Sequence, residues 1–92
     1  MESIVQKEKE CFICHSTSNL HLHHIFGASN RNHSTKFGLT CYLCAYHHNM
    51  SDEGVHFRRE TDLALKEYAQ RKFEANWGDR ETFRKIFGKS WI

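Results

Sequence analysis

Cys41-Tyr42-Leu43-Cys44-Ala45-Tyr46-His47-His48 carries two overlapping ligand spacings and ends on a pair of histidines. Cys41 and Cys44 make a Cys-x-x-Cys unit; Cys44 and His47 make an equally well-spaced Cys-x-x-His unit. Either can close a tetrahedral zinc site with the earlier unit Cys11-Phe12-Ile13-Cys14, because structural zinc takes thiolate and imidazole ligands in such close pairs. One reading is Cys₄ (Cys11, Cys14, Cys41, Cys44). The other is Cys₃His (Cys11, Cys14, Cys44, His47), which leaves Cys41 over. Strand alternation favours the second: Leu39, Cys41 and Leu43 fall on one face, where Cys41 acts as a small buried hydrophobe.

Upstream, Leu20-His21-Leu22-His23-His24-Ile25 alternates apolar and imidazole side chains, the period of a half-buried strand. The expected apolar face is Leu20 and Leu22, with His21 and His23 on the other. Phe37 to Leu43 is aromatic and β-favouring, so a second strand follows, and the Gly-, Ser- and Asn-rich stretch 26–36 reads as the loop of a hairpin. From Cys44 a short helix is expected, ending near Gly54.

The second half has helical spacing. Thr61 is the expected N-cap, with Asp62 in the first turn. Leu65, Tyr68, Ala69, Lys72 (stem), Phe73 and Trp77 form the inward stripe, and Gly78 is the stop. Asp79 then caps a last helix with Phe83, Ile86 and Phe87 inward, closed by Gly88. Phe73, Trp77, Phe83 and Phe87 read as core. The expected class is α+β, a zinc-stapled β-hairpin plus helix over 11–56 and two helices over 57–92, in one domain spanning 1–92.

Composition fits a stapled domain. A chain of 92 residues that is 39% apolar builds a marginal core, so a metal contribution is expected. All four cysteines and eight histidines lie between Cys11 and His56. No apolar run approaches the length of a membrane span or of a signal-peptide core, so an intracellular, cytoplasmic location is expected and the cysteines read as ligands rather than disulfides. The net charge of +2 excludes a strongly basic nucleic-acid coat.

Two adjacent histidine pairs remain, His23-His24 and His47-His48. Neighbours on a strand point to opposite sides, so one of His23 and His24 can hold a metal while the other faces a substrate. His48, at the start of a helix, can approach the same metal across the hairpin. His56, folded back after Gly54-Val55, can complete the site; Asp52 is its rival as third ligand. His21, His15 and His33 read as solvated or structural.

Cys11-x-x-Cys14, His23-His24-Ile25 and Leu43-Cys44-x-x-His47-His48 together resemble the HNH (ββα-metal) endonuclease motif in its zinc-stapled branch. The likeness covers about residues 11–56, and compact members of this kind resemble phage or prophage products. It implies a ββα-metal fold that hydrolyses DNA phosphodiester bonds; one active site in 92 residues suggests a nicking monomer or a homodimer that cuts both strands. It implies His24 as general base, and His23 and His48 as ligands of a catalytic divalent cation (Mg²⁺, Mn²⁺ or another transition metal). It also implies the Cys44/His47 knuckle for the structural zinc. Arg31, seven residues beyond His24, is placed to contact a phosphate. The basic residues Arg58, Arg59, Arg71, Lys72, Arg84, Lys85 and Lys89 can add contacts to the nucleic-acid backbone. One departure stands out. Leu39 occupies the position of the family's middle asparagine, and Asn30, Asn32 and His33 are the loop residues available to replace it. A catalytically weak module that binds DNA or inhibits a protein is the alternative function.

Overall fold

The computed structural model describes residues 2–51 and 54–92. Strand β1 (Leu20–His24) pairs antiparallel with β2 (Thr40–Cys44), with His21 opposite Leu43 and His23 opposite Cys41. A 3-10 turn (Ala28–Asn30) and helix α1 (Arg31–Phe37) connect them. The one-turn helix α2 (Ala45–His48) follows β2 directly, and α3 (Arg59–Asn76) and α4 (Arg80–Phe87) complete the described chain. The class is mixed α+β. Among the described residues no helix is long and apolar enough to cross a membrane.

Cys41 and Leu43 in β2, and Leu39 just before it, are fully buried as expected, but Thr40 and Cys44 on the other face are buried as well, which leaves only Tyr42 half-buried. Strand β1 inverts the expected facing. Leu22 is 50% exposed, whereas His23 is 6% exposed and lies on the face of Cys41 and Leu43. Alternation establishes that the two faces of a strand differ. Which face is covered depends on what packs there, and here α2 and the turn after it lie on the imidazole side.

The stretch expected as a plain loop contains α1. Asn, Ser and Thr are weak helix formers rather than forbidden ones, because their side chains compete for backbone partners. Here the buried Ser34 hydroxyl accepts from the Phe26 N–H (3.0 Å) and donates to the Phe26 carbonyl (2.7 Å), which ties α1 to the end of β1. Gly38 closes the helix at φ 73°, and a Cβ there would stand 2.5 Å from the Glu2 carbonyl oxygen. The lead-in segment, residues 2–10, passes this point with Ile4 N–H donating to the Gly38 carbonyl, and Val5 is buried.

Two boundaries also differ from expectation. Helix α2 ends at His48 instead of near Gly54, because residues 54–57 turn back onto it. Helix α3 starts at Arg59, ahead of the expected Thr61 cap, and its N-cap Arg58 makes no side-chain capping bond. Glu60 and Asp62 in the first turn complement the positive end of the helix instead.

The helical half supplies the aromatic part of the core, closed by Phe26 from the end of the first strand. Phe26, Phe73, Phe83 and Phe87 are buried together, with Phe83 and Phe87 stacked at 4.4 Å. Trp77 does not join them. It sits at the C-cap of α3, 45% exposed, with its edge against Phe37 and its indole N–H donating to the Phe37 carbonyl. Tyr68 is likewise exposed. Helix α4 follows its signals: the Asp79 carboxylate accepts from the Thr82 N–H at 2.8 Å, and Gly88 ends it at φ 95°. Buried Gln70 then anchors the tail, accepting from the Trp91 N–H (2.8 Å) and donating to Ser90 Oγ (2.9 Å). That anchor sets Trp91 beside the site described next.

Candidate functional site

Cys11, Cys14, Cys44 and His47 converge, with one ligand atom from each inside a sphere of mutual distances up to 4.8 Å. The segment 11–15 makes a tight knuckle, with His15 N–H donating to the Cys11 carbonyl and His15 itself at φ 67°. Cys44 ends β2 and His47 follows on the single turn of α2, so strand and helix deliver the second pair together. Cys14 Sγ and Cys44 Sγ are 3.7 Å apart; His47 Nδ1 lies 3.3 Å from Cys44 Sγ and 3.8 Å from Cys11 Sγ. A tetrahedron built on standard zinc bonds has S···S edges of about 3.8 Å and S···N edges of about 3.6 Å. The donor set and its spacing therefore fit zinc.

The chemistry of the thiols agrees. Burial opposes the Cys11 thiolate, yet hydrogen bonds from the backbone of Cys14, Cys44 and Ile13 outweigh it and bring the thiol down to about 6. Cys41 is pushed up to about 12 by burial and by the neighbouring Cys11. It stays a protonated packing residue outside the cluster, so His47 and not Cys41 completes the tetrahedron of candidate ligands.

His23, His48 and His56 form a second converging group. His23 reaches it from β1 and His48 from the end of α2. His56 arrives because the chain folds back: Val55 N–H donates to the His47 carbonyl (2.9 Å) and His56 N–H to the His48 carbonyl (3.3 Å). Gly54 is what allows so close a return, since a Cβ on it would lie 2.6 Å from the His48 carbonyl oxygen. His48 Nε2 and His56 Nε2 are 3.0 Å apart. His23 Nε2 is buried with no hydrogen-bond partner among the described residues. A buried polar atom without a partner costs about 1–3 kcal/mol unless something occupies it. Burial, and then the neighbouring His48 and His56, hold the His23 imidazole down at about 4. It is neutral at pH 7 and offers a lone pair, so three imidazoles with one orphaned nitrogen fit a divalent transition cation. Asp52, the rival ligand, lies outside the described residues.

His24 is not one of that trio but lines the same cavity, of about 420 Å³, as His23 and His56. Its Nδ1 is buried without a partner among the described residues. Burial, and then the positive Arg31 at the start of α1, lower its imidazole below the ordinary range. Arg31 is exposed and does not line the cavity. Of the residues expected to replace the asparagine, Asn30 lines the cavity but donates its amide to the Phe87 carbonyl. Asn32 is exposed, His33 packs edge-on against Phe87, and Leu39 is fully buried.

Four residues near the site were not singled out from sequence. His21 Nδ1 is 2.9 Å from His48 Nδ1, so His21 belongs beside the cluster and not in solvent. The i, i+2 spacing of His21 and His23 was the available signal. Asp62, Lys66 and Trp91 line the cavity, with Lys66 Nζ 2.8 Å from Asp62 Oδ2. The i, i+4 spacing on α3 foretells that pair, but nothing local foretells that this face of α3 meets the hairpin.

Fold and site thus define a small α+β protein with a Cys₃His cluster able to hold zinc. No protein-family model, curated protein or solved structure matches the chain.

Proposed function

We propose that the chain is a metal-dependent endonuclease of the HNH (ββα-metal) kind, acting on DNA. The observation that carries the proposal is that a neutral histidine, His24, shares one cavity with His23 and His56, two of the three imidazoles that converge with His48. His23, His48 and His56 would hold the divalent cation. Bound there, the cation supplies charge neutralisation at the phosphate and at the departing oxygen.

The chain's own residues do the rest. Neutral His24 takes a proton from a water molecule as that water's oxygen bonds to phosphorus. The phosphorus–oxygen bond on the leaving side breaks, and the departing oxygen takes its proton from solvent. Lys66, on the cavity wall, and Arg31, at the start of α1, are the cations available to orient the phosphodiester. The Cys11, Cys14, Cys44, His47 zinc staples the hairpin to α2 and takes no part in the reaction.

A second reading is a zinc-stapled module that binds DNA or protein without turnover. Leu39 favours it, since the asparagine position of the family motif holds a buried aliphatic side chain here. Plasmid nicking with Mn²⁺ or Mg²⁺ decides between them. Wild type is expected to relax supercoiled plasmid, and His24→Ala to lose that activity while keeping its zinc and its melting temperature. A His24→Ala protein that nicks like wild type would refute the catalytic assignment. An inactive wild type that still retards DNA or a protein partner would support the binding module.

A further inference from the structure

We propose that His21 is a positioning residue: it accepts the Nδ1 proton of His48 and so fixes the tautomer in which His48 presents Nε2 to the cation site. The inference rests on reading His23, His48 and His56 as a cation site.

Three observations support it. His21 and His23 lie two residues apart on β1, on the face that α2 covers, so both rings reach His48. The two nitrogens of His48 face different partners: Nδ1 is 2.9 Å from His21 Nδ1, and Nε2 is 3.0 Å from His56 Nε2. The orphaned nitrogen of His23 is its Nε2. A neutral imidazole has one N–H and one lone pair. For His48 Nε2 to act as a ligand, its proton must sit on Nδ1, and His21 Nδ1 is the acceptor in reach. The proton of His21 then sits on its own Nε2. Histidine ligands commonly donate their second N–H to an outer partner, and losing that partner typically weakens metal binding about 10–100-fold. Carboxylates and carbonyls usually fill this role; here a second imidazole does.

The test uses the full chain loaded with one zinc, and Co²⁺ alone as probe of the histidine site. Co²⁺ bound by imidazoles shows visible d–d bands without the intense thiolate charge-transfer bands of cobalt in the Cys₃His site. His21→Phe removes the acceptor and keeps a ring, and is expected to weaken Co²⁺ binding about 10–100-fold. His21→Asn places an amide oxygen near the Nδ1 position and is expected to restore binding to within a few-fold of wild type. Imidazole ¹⁵N shifts of the wild type before Co²⁺ is added give a readout that needs no variant, and are expected to show His48 protonated on Nδ1. Unchanged Co²⁺ affinity in His21→Phe, equal loss in His21→Asn, or His48 protonated on Nε2 would each overturn the role of His21. A wild type that binds no Co²⁺ at the histidines would overturn the cation site and this inference together. Absence of DNA cleavage alongside normal Co²⁺ binding would overturn only the nuclease reading.

Discussion

Gly54→Ala tests how the histidine site is assembled. The added Cβ would stand 2.6 Å from the His48 carbonyl oxygen and 2.8 Å from the His48 carbonyl carbon. Ordinary contact begins at 3.4 Å, so the returning turn must move off α2 by about 0.8 Å. Overpacking of this kind costs about 1–3 kcal/mol. The movement also stretches the bonds from Val55 N–H to the His47 carbonyl and from His56 N–H to the His48 carbonyl, each contributing about 0.5–1.5 kcal/mol net. We expect a total near 2 kcal/mol, which the molecule can bear in two ways. If the turn stays in place, the fold carries the strain and Tm falls by roughly 10 °C. If the turn lifts, His56 leaves His48 and Co²⁺ binding at the histidine site weakens roughly 30-fold. Calorimetry and a Co²⁺ titration of the zinc-loaded protein read both channels. Gly27→Ala is the control, since a Cβ on Gly27 meets nothing within 4 Å. A Gly54→Ala protein that melts and binds Co²⁺ like the Gly27→Ala control would refute the claim that close return of the chain builds this site.

Two further outcomes follow from the same structure. Cys41→Ala is expected to keep one zinc per chain at a stability cost of about 1 kcal/mol from the small cavity, whereas Cys44→Ala is expected to lose the metal and unfold, because the binding energy of a structural zinc is folding energy. Zinc content by atomic absorption separates the two, and loss of zinc from Cys41→Ala would return Cys41 to the ligand set. Asp79→Ala removes the carboxylate that accepts from the Thr82 N–H and Oγ1, and is expected to cost about 1 kcal/mol in a urea melt. An unchanged midpoint would show that α4 is held by Phe83 and Phe87 alone.

Legibility in the sequence followed the range of the interaction. Asp79 and Gly88 are readable because a cap is settled by groups within four residues of each other. The same holds for burial of Leu39, Cys41 and Leu43, where one strand's alternation meets one core. Helix α1 was not readable, because what holds it is Ser34 bonded across to Phe26, eight residues away, and Gly38 packed under the lead-in segment. The facing of β1 is not legible from its pattern for a related reason. Leu22 is the more apolar side chain, but the covering elements sit over His21 and His23, whose rings both pack against His48. The convergence of Cys11, Cys14, Cys44 and His47 could be anticipated from spacing alone. The approach of Lys66 to the cavity could not, since it depends on how α3 packs on the hairpin, nor could that of Trp91, which depends on Gln70 pinning the tail against α3.

The one-turn helix α2 explains why a chain of this size carries two sites and not one. His47 and His48 are consecutive, and their side chains diverge to opposite clusters. A helix of four residues has no stability of its own, since nucleation alone is unfavourable. Something must hold it, and the thiolate cluster grips it at Cys44 and His47, from both ends of the turn. With α2 so fixed, the carbonyls of His47 and His48 become the platform on which Val55 and His56 land. The dependence runs one way. The Cys₃His cluster draws on the knuckle 11–14, β2 and α2, none of which needs His23 or His56, whereas the histidine site needs α2 in its stapled position. On the proposed reading, zinc at the Cys₃His cluster would be a precondition for assembling the histidine site, and a cation at the histidine site would not be a precondition for zinc.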